Sequence, residues 1–149
     1  NGVPQKHGAT YKATQVQADK RKNTFTANIA TAYPAEAEVE SWIRSYSLQK
    51  GQLRISDSFR LTTAKQPNQI NFMTWGQVNT EIPGKIQLEV KGKKAFIEYD
   101  KQLFDVKTET IPLTDPRLSN VWGKSIYRIT LTATNIYKTG NYSFIIKKQ

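Results

Sequence analysis

The sequence predicts an all-β fold, an antiparallel β-sandwich of roughly ten or more strands. Apolar and polar residues alternate with the period of a β-strand in several segments. Turn-forming residues recur about every ten positions between these segments, which is typical of a sandwich rather than of alternating strands and helices. With 149 residues, of which 38% are hydrophobic, the chain is long enough to bury a core. We therefore predict a single domain over residues 1–149.

The first predicted pair of strands flanks a basic turn. Tyr11 to Val16 and Asn23 to Thr31 surround the cluster Lys20-Arg21-Lys22. Charged turns are common at the ends and edges of sheets, where they keep strands soluble.

The segment that begins at Pro34 is compatible with two structures. Proline followed by acidic residues favours the first turn of a helix. Four apolar residues downstream have helical spacing: Val39, Trp42, Ile43 and Tyr46. The next segment, however, alternates strictly, so that a hairpin about Lys50-Gly51 would match apolar residues across two strands. We predict a helical turn from Pro34 and then a strand from about Glu40.

That hairpin has a definite register. It pairs large apolar groups on one face, namely Leu48 with Leu53, Tyr46 with Ile55, and Trp42 with Phe59. The same register places Arg44 opposite Asp57 on the apolar face. Because an unpaired charge there costs several kcal/mol, we predict a salt bridge between them. A structural role in fixing the register is the favoured interpretation, and a sugar or carboxylate site is the alternative.

The second half of the chain contains a hairpin and two further strands. Ile86 to Val90 and Ala95 to Tyr99 flank the Gly-containing turn at residues 91–94. Ser125 to Thr134 alternates cleanly, with Tyr127, Ile129, Leu131 and Ala133 on the buried face. A turn over residues 138–141 and a strand from Tyr142 to Ile146 follow. The longest irregular stretch runs from Leu113 to Gly123.

Composition excludes several kinds of chemistry. The chain has no cysteine, which removes disulfides, thiol catalysis and Cys-based zinc sites. His7, the one histidine, lies in a turn-like stretch, and we expect an exposed side chain rather than a catalyst. We predict no metal site and no cofactor, because the carboxylates are scattered and no phosphate-binding glycine loop is present. No apolar run approaches the ~20 residues that span a bilayer.

The positive charge is compatible with polyanionic partners, although the lysines concentrate in expected turns, where a role in solubility is the favoured interpretation. The chain carries 22 Lys plus Arg against 12 Asp plus Glu, a net charge of +10. Such a balance favours anionic polysaccharides, nucleic acids or membrane surfaces. The sequence lacks the motifs of nucleic-acid-binding folds, so we expect no nucleic acid partner. Most tryptophans are expected in the core or at its rim, and Trp122 is the best candidate for an exposed binding residue.

Several motifs in order resemble the C-terminal β-sheet region of heparinase II/III-like polysaccharide lyases. The similarity spans nearly the whole chain, and the order and spacing of short motifs carry it. These motifs are residues 1–8 (NGVPQKHG), 32–37 (AYPAEA), 42–44 (WIR), 55–61 (ISDSFRL), and Trp122-Gly123 followed by residues 127–129 (YRI). The start at Asn1, with no initiator methionine, agrees with an expected piece of a longer protein.

The resemblance implies a large periplasmic or secreted bacterial enzyme, a helical toroid followed by a β-sandwich. Such lyases cleave anionic, uronic-acid-containing polysaccharides such as glycosaminoglycans by β-elimination. Some members hold a metal ion in the sheet region. The catalytic His and Tyr would lie upstream of Asn1, so no catalytic residue is carried onto this chain. The chain would pack on the toroid and line the substrate cleft, with Lys6, His7 and Tyr11 nearest to it. The alternative is a free-standing glycan-binding or adhesion module.

Overall fold

The computed structural model describes residues 1–148 and confirms the predicted fold class. It is a sandwich-like all-β structure with eleven antiparallel strands in two sheets. Two short 3₁₀ turns and one α-helix, α1 (Pro116–Trp122), complete the described part of the chain. The strands are β1 (Thr14–Asp19), β2 (Thr24–Asn28), β3 (Val39–Gln49), β4 (Gln52–Leu61), β5 (Gln69–Thr74), β6 (Gln77–Ile82), β7 (Lys85–Val90), β8 (Lys93–Tyr99), β9 (Phe104–Pro112), β10 (Ser125–Ala133) and β11 (Thr139–Lys148).

The chain divides into two compact units. Unit 1 comprises Asn1–Asn68 and Asn135–Ile145, and unit 2 comprises Gln69–Thr134 with the residues from Ile146 onward. Strand β11 therefore begins in unit 1 and ends in unit 2. That residues 1–149 form a single domain stays a prediction.

Unit 1 is a sheet in the order β1-β2-β3-β4-β11. The predicted β3–β4 register is confirmed, with Trp42 opposite Phe59, Tyr46 opposite Ile55, and Leu48 opposite Leu53. The rings of Trp42 and Tyr142 each lie 4.9 Å from the ring of Phe59, centre to centre. These aromatic contacts form the centre of the unit 1 core.

The segment after Pro34 also folds as predicted. A single 3₁₀ turn covers Ala35–Ala37, and Glu38 ends it in the left-handed region with φ of 54°. Strand β3 then begins at Val39, one residue before the predicted start. The helical spacing of the apolar residues is overridden because cross-strand pairing with β4 buries the same side chains.

Unit 2 contains a three-stranded sheet in the order β5-β10-β9 and a run of strands in the order β8-β7-β6. The predicted buried face of β10 is confirmed at Ile129, Leu131 and Ala133, while Tyr127 is half-buried. The predicted hairpin is also present, although its loop is shorter than expected. Val90 pairs with Lys93, so the loop consists of Lys91 and Gly92 alone.

Four details of the predicted secondary structure are wrong. Strand β1 covers Thr14–Asp19 rather than Tyr11 to Val16. The predicted turn over residues 138–141 lies mostly within β11, which begins at Thr139. The predicted irregular stretch contains α1, because Pro116 occupies its first turn and the Asp115 side chain accepts a hydrogen bond from the backbone N–H of Arg117. Strand β2 ends at Asn28, since Ala30–Ala32 forms a 3₁₀ turn. Within residues 1–148, no helix has the length and apolar character needed to cross a bilayer.

Candidate functional site

The first residues of the chain are fixed to unit 1 by the side chain of Asn1. Its Nδ2 donates to the backbone oxygens of Ala37 and Thr63, both at 2.8 Å. Its Oδ1 accepts a hydrogen bond from the backbone N–H of Lys65 at 2.7 Å. One amide thus fastens the start of the chain to two other parts of unit 1, the end of the 3₁₀ turn at Ala37 and the connection that follows β4.

The predicted cleft residues lie on that following segment. Lys6 and His7 are exposed, and Tyr11 is half-buried. The backbone N–H of Tyr11 donates to the carbonyl oxygen of Gly8 at 3.1 Å, which closes a turn. The Tyr11 ring lies over Gly8, since a Cβ at that glycine would be 3.8 Å from its Cδ2 atom. The structure therefore brings Tyr11 back to Gly8, the residue next to His7. Among the described residues, no side-chain hydrogen bond or ion pair joins Lys6 to His7 or Tyr11.

The predicted salt bridge between Arg44 and Asp57 is present and bidentate. Arg44 Nε donates to Asp57 Oδ1 at 2.7 Å, and Arg44 Nη2 donates to Asp57 Oδ2 at 2.8 Å. The Asp57 side chain is fully buried, whereas 23% of the Arg44 side chain remains exposed. Paired N–H donors on a planar carboxylate are the strongest geometry available to this pair of residues.

Tyr33 and Tyr46 lie near this ion pair, and no sequence pattern pointed to Tyr33. Burial lowers the pKa of Arg44, but the hydrogen bond and charge of Asp57, together with Tyr46, outweigh this effect and raise the pKa overall. Burial raises the pKa of Tyr33, while the nearby Arg44 partly opposes that shift. The guanidinium is therefore held protonated beside a neutral phenol. A guanidinium in this state can bind and orient an anion, and it does not exchange protons near neutral pH.

A second buried polar contact lies on the same unit. Asn68 Nδ2 donates to the hydroxyl oxygen of Tyr142 at 3.2 Å. Burial raises the pKa of Tyr142, and the hydrogen bond from Asn68 partly offsets this. These contacts satisfy polar groups in the core, so they favour the structural interpretation of the Arg44–Asp57 pair.

Helix α1 exposes a continuous apolar face. None of its seven residues is buried, and Leu118, Val121 and Trp122 are 47%, 69% and 47% exposed. They are spaced i, i+3 and i+4, which places them on one side of a helix. This spacing after Asp115-Pro116 was the available signal for the helix. Trp122 is exposed, as the sequence suggested, whereas Trp42 is buried.

No cluster of three or more histidine, aspartate or glutamate side chains within residues 1–148 could hold a metal ion. No family model matches the chain, and no curated protein matches it either. The similarity to heparinase II/III-like lyases therefore rests on the sequence motifs quoted above.

Proposed function

We propose that the chain is the C-terminal β-sandwich portion of a heparinase II/III-like polysaccharide lyase of the bacterial periplasm or exterior. The whole enzyme acts on uronic-acid-containing glycans by β-elimination. This portion supports the substrate cleft and contributes no catalytic residue. The anchored segment that presents Lys6, His7 and Tyr11 on unit 1 is the observation that carries the proposal.

The charge of that segment suits an anionic substrate. Residues 1–18 contain Lys6 and Lys12 and no acidic residue. Neither lysine forms an ion pair within the described residues, and both are exposed. An unpaired ammonium group at the surface attracts carboxylates or sulfates over distances of about a Debye length, roughly 10 Å at moderate salt.

The reaction gives these residues a limited role. β-Elimination needs the uronate carboxylate neutralised, the adjacent carbon proton removed, and the leaving oxygen protonated. Lys6 supplies a cation for the first requirement at the cleft wall. Tyr11, held by its turn, shapes the surface beside it. In this proposal the groups that move protons belong to the toroid and lie outside this chain.

The apolar face of α1 supports packing against another part of the enzyme. Three large apolar side chains on one short helix are unusual for a free surface, and such patches mark interaction sites. In the proposed enzyme this face packs against the helical toroid, so that burial of Leu118, Val121 and Trp122 attaches the sandwich to the catalytic half.

The test begins with the reading frame upstream of the Asn1 codon. We expect it to encode a helical toroid, and the complete protein to release unsaturated uronate products, followed by their ultraviolet absorbance. In that protein Lys6→Ala should lower kcat/KM about tenfold, equivalent to roughly 1.4 kcal/mol. Lys50→Ala, at an exposed hairpin turn, is the matched control and should leave kcat/KM unchanged.

Two results contradict the proposal at different levels. A complete protein without a toroid, and without eliminative product on any uronate polysaccharide, removes the lyase assignment. An active lyase in which Lys6→Ala and Tyr11→Phe retain full kcat/KM removes these residues from the cleft.

A free-standing glycan-binding module is the second candidate. It is favoured by an exposed tryptophan on unit 2, Trp75, with the unpaired Lys91 ammonium nitrogen 5.7 Å from its ring centre. A signal peptide or short linker directly before Asn1 would decide for this candidate.

A further inference from the structure

Trp75 lies in the short connection between β5 and β6, and it is 40% exposed. The ammonium nitrogen of Lys91 lies 5.7 Å from the centre of its ring, within cation–π range. Trp75 has no aromatic neighbour among the described residues of unit 2. It is therefore a single, partly exposed ring with a cation over one of its faces.

The position of this ring is set by close backbone packing. A Cβ at the next residue, Gly76, would lie 2.5 Å from Val90 Cγ2 and 2.6 Å from the carbonyl oxygen of Glu89. Only glycine allows the β5–β6 connection to approach the end of β7 this closely. The backbone N–H of Gly76 also donates to Thr74 Oγ1 at 3.1 Å. The connection is thus held in place before any ligand arrives, which lowers the entropy cost of binding.

The adjacent β7–β8 turn supplies the positive charge. Lys91 and Lys93 have no acidic partner in the part of the chain that the structure describes. Lys94 lies 3.9 Å from Glu89, a long and partly exposed ion pair. Lys93 pairs across the hairpin with Val90, whose side chain faces Gly76, so Lys91 and Lys93 bring two unpaired positive charges to the side of the hairpin that packs on the Trp75 connection.

We propose that Trp75, Lys91 and Lys93 form a binding site for one anionic sugar residue. The ring stacks on the apolar face of the pyranose, and the two ammonium groups bind its carboxylate or sulfate through charge-assisted hydrogen bonds. The identification of the ligand as a uronate glycan rests on the proposed function. A nucleic acid strand is a poorer match, because its successive bases stack on several aromatic platforms.

The experiment is a titration of the chain with a glucuronate-containing tetrasaccharide from hyaluronan at low salt, followed by tryptophan fluorescence and calorimetry. We expect saturable binding that Trp75→Ala weakens at least tenfold. Lys91→Gln with Lys93→Gln should weaken it to a similar extent, while Trp75→Tyr should stay within a few-fold of the wild type. Lys20→Gln with Lys50→Gln, which removes two exposed turn lysines of unit 1, is the matched control for the loss of charge and should bind normally.

The ligand has a matched control as well. The same tetrasaccharide with its carboxylates reduced to alcohols should bind at least tenfold more weakly. The site is refuted if Trp75→Ala, shown to be folded by circular dichroism, binds like the wild type. It is also refuted if the reduced sugar binds equally well. Tighter, Trp75-dependent binding of a single-stranded DNA oligonucleotide would overturn the assignment to a glycan.

The outcome is independent of the lyase test. Trp75-dependent binding by a chain whose complete protein has no eliminative activity supports the site and overturns the proposed function. An active lyase whose Trp75→Ala variant keeps its KM, together with a chain that does not bind the tetrasaccharide, overturns the site and leaves the proposed function standing.

Discussion

Two hairpins of this protein have the same type of turn and differ in almost everything else. The β3–β4 hairpin turns at Lys50-Gly51 and the β7–β8 hairpin at Lys91-Gly92. All four residues have positive φ, at 49° and 73° in the first turn and 50° and 76° in the second. Positive φ at both central positions is the requirement of a two-residue hairpin turn. The first hairpin has strands of 11 and 10 residues, and the second has strands of 6 and 7.

The cross-strand pairs give the two hairpins different roles. In the first, Arg44 and Asp57 form a buried ion pair within an apolar face. In the second, Lys94 and Glu89 form a long, partly exposed pair, and Lys91 lies over the ring of Trp75. The turn determines where the chain reverses. The paired side chains determine whether the hairpin serves the core or the surface.

The largest expected loss of stability comes from breaking the buried Arg44–Asp57 ion pair. Asp57→Asn removes the counter-charge of a mostly buried guanidinium, and it should lower the free energy of unfolding by about 3–5 kcal/mol. Glu89→Gln in the second hairpin removes an exposed pair and should cost about 0–1 kcal/mol. Urea denaturation of both variants measures the difference.

A double variant separates the charge from the packing. Arg44→Met with Asp57→Leu replaces the pair by apolar groups and should recover most of the loss. If Asp57→Asn costs no more than Glu89→Gln, burial of the ion pair has no energetic consequence and the comparison fails.

The next effect concerns the aromatic core beside the first hairpin. A Cβ at Gly140 would lie 3.0 Å from Cζ and 3.1 Å from Cε1 of Phe59, whose ring packs between Trp42 and Tyr142. Gly140→Ala should therefore destabilise the chain by about 1–3 kcal/mol. Thermal unfolding measures the loss, and Phe59→Leu in the same background should restore part of it. An unchanged Tm would show that the Phe59 ring can move.

The turns themselves should respond equally. No atom lies within 4 Å of a Cβ built on Gly51 or Gly92, so Gly51→Ala and Gly92→Ala add only left-handed strain. Each should cost about 1–2 kcal/mol. Urea midpoints that differ clearly between the two variants would contradict the view that the turns are equivalent.

The smallest effect appears at alkaline pH. Burial raises the pKa of Tyr33 beside the Arg44–Asp57 pair, so the folded chain holds this proton more tightly than the unfolded chain. Its stabilising contribution is complete below the unfolded value of about 10 and is lost as pH rises through the raised folded pKa. Tyr33→Phe should reduce the alkaline loss of stability, measured as Tm against pH. An identical slope in wild type and variant would exclude Tyr33 as a source.

The β3–β4 hairpin could be predicted because strict alternation places its large apolar groups on one face and the Lys-Gly turn fixes where the chain reverses. The start of β11 could not, since Thr139-Gly140-Asn141 has the composition of a turn. Glycine is required at position 140 because the ring of Phe59, a residue distant in sequence, leaves too little room for a side chain there. The contact between Trp75 and Lys91 could not be predicted either, because it depends on how the β5–β6 connection packs on β7. Short-range sequence patterns predict the residue pairs within a hairpin. Contacts between separate connections can be identified only in the folded structure.

The Arg44–Asp57 pair also bears on misfolding. A slip of one residue between β3 and β4 would turn the serines of the slipped strand inward and its apolar side chains outward, and the apolar pattern alone excludes it. A slip of two residues keeps the apolar faces together, and hydrophobic burial distinguishes it poorly from the native pairing. It would, however, set Arg44 against Ile55 or Phe59 and Asp57 against Trp42 or Tyr46, leaving two charges apart in an apolar layer. The ion pair thus disfavours the two-residue slip, the competing register that apolar packing alone would tolerate.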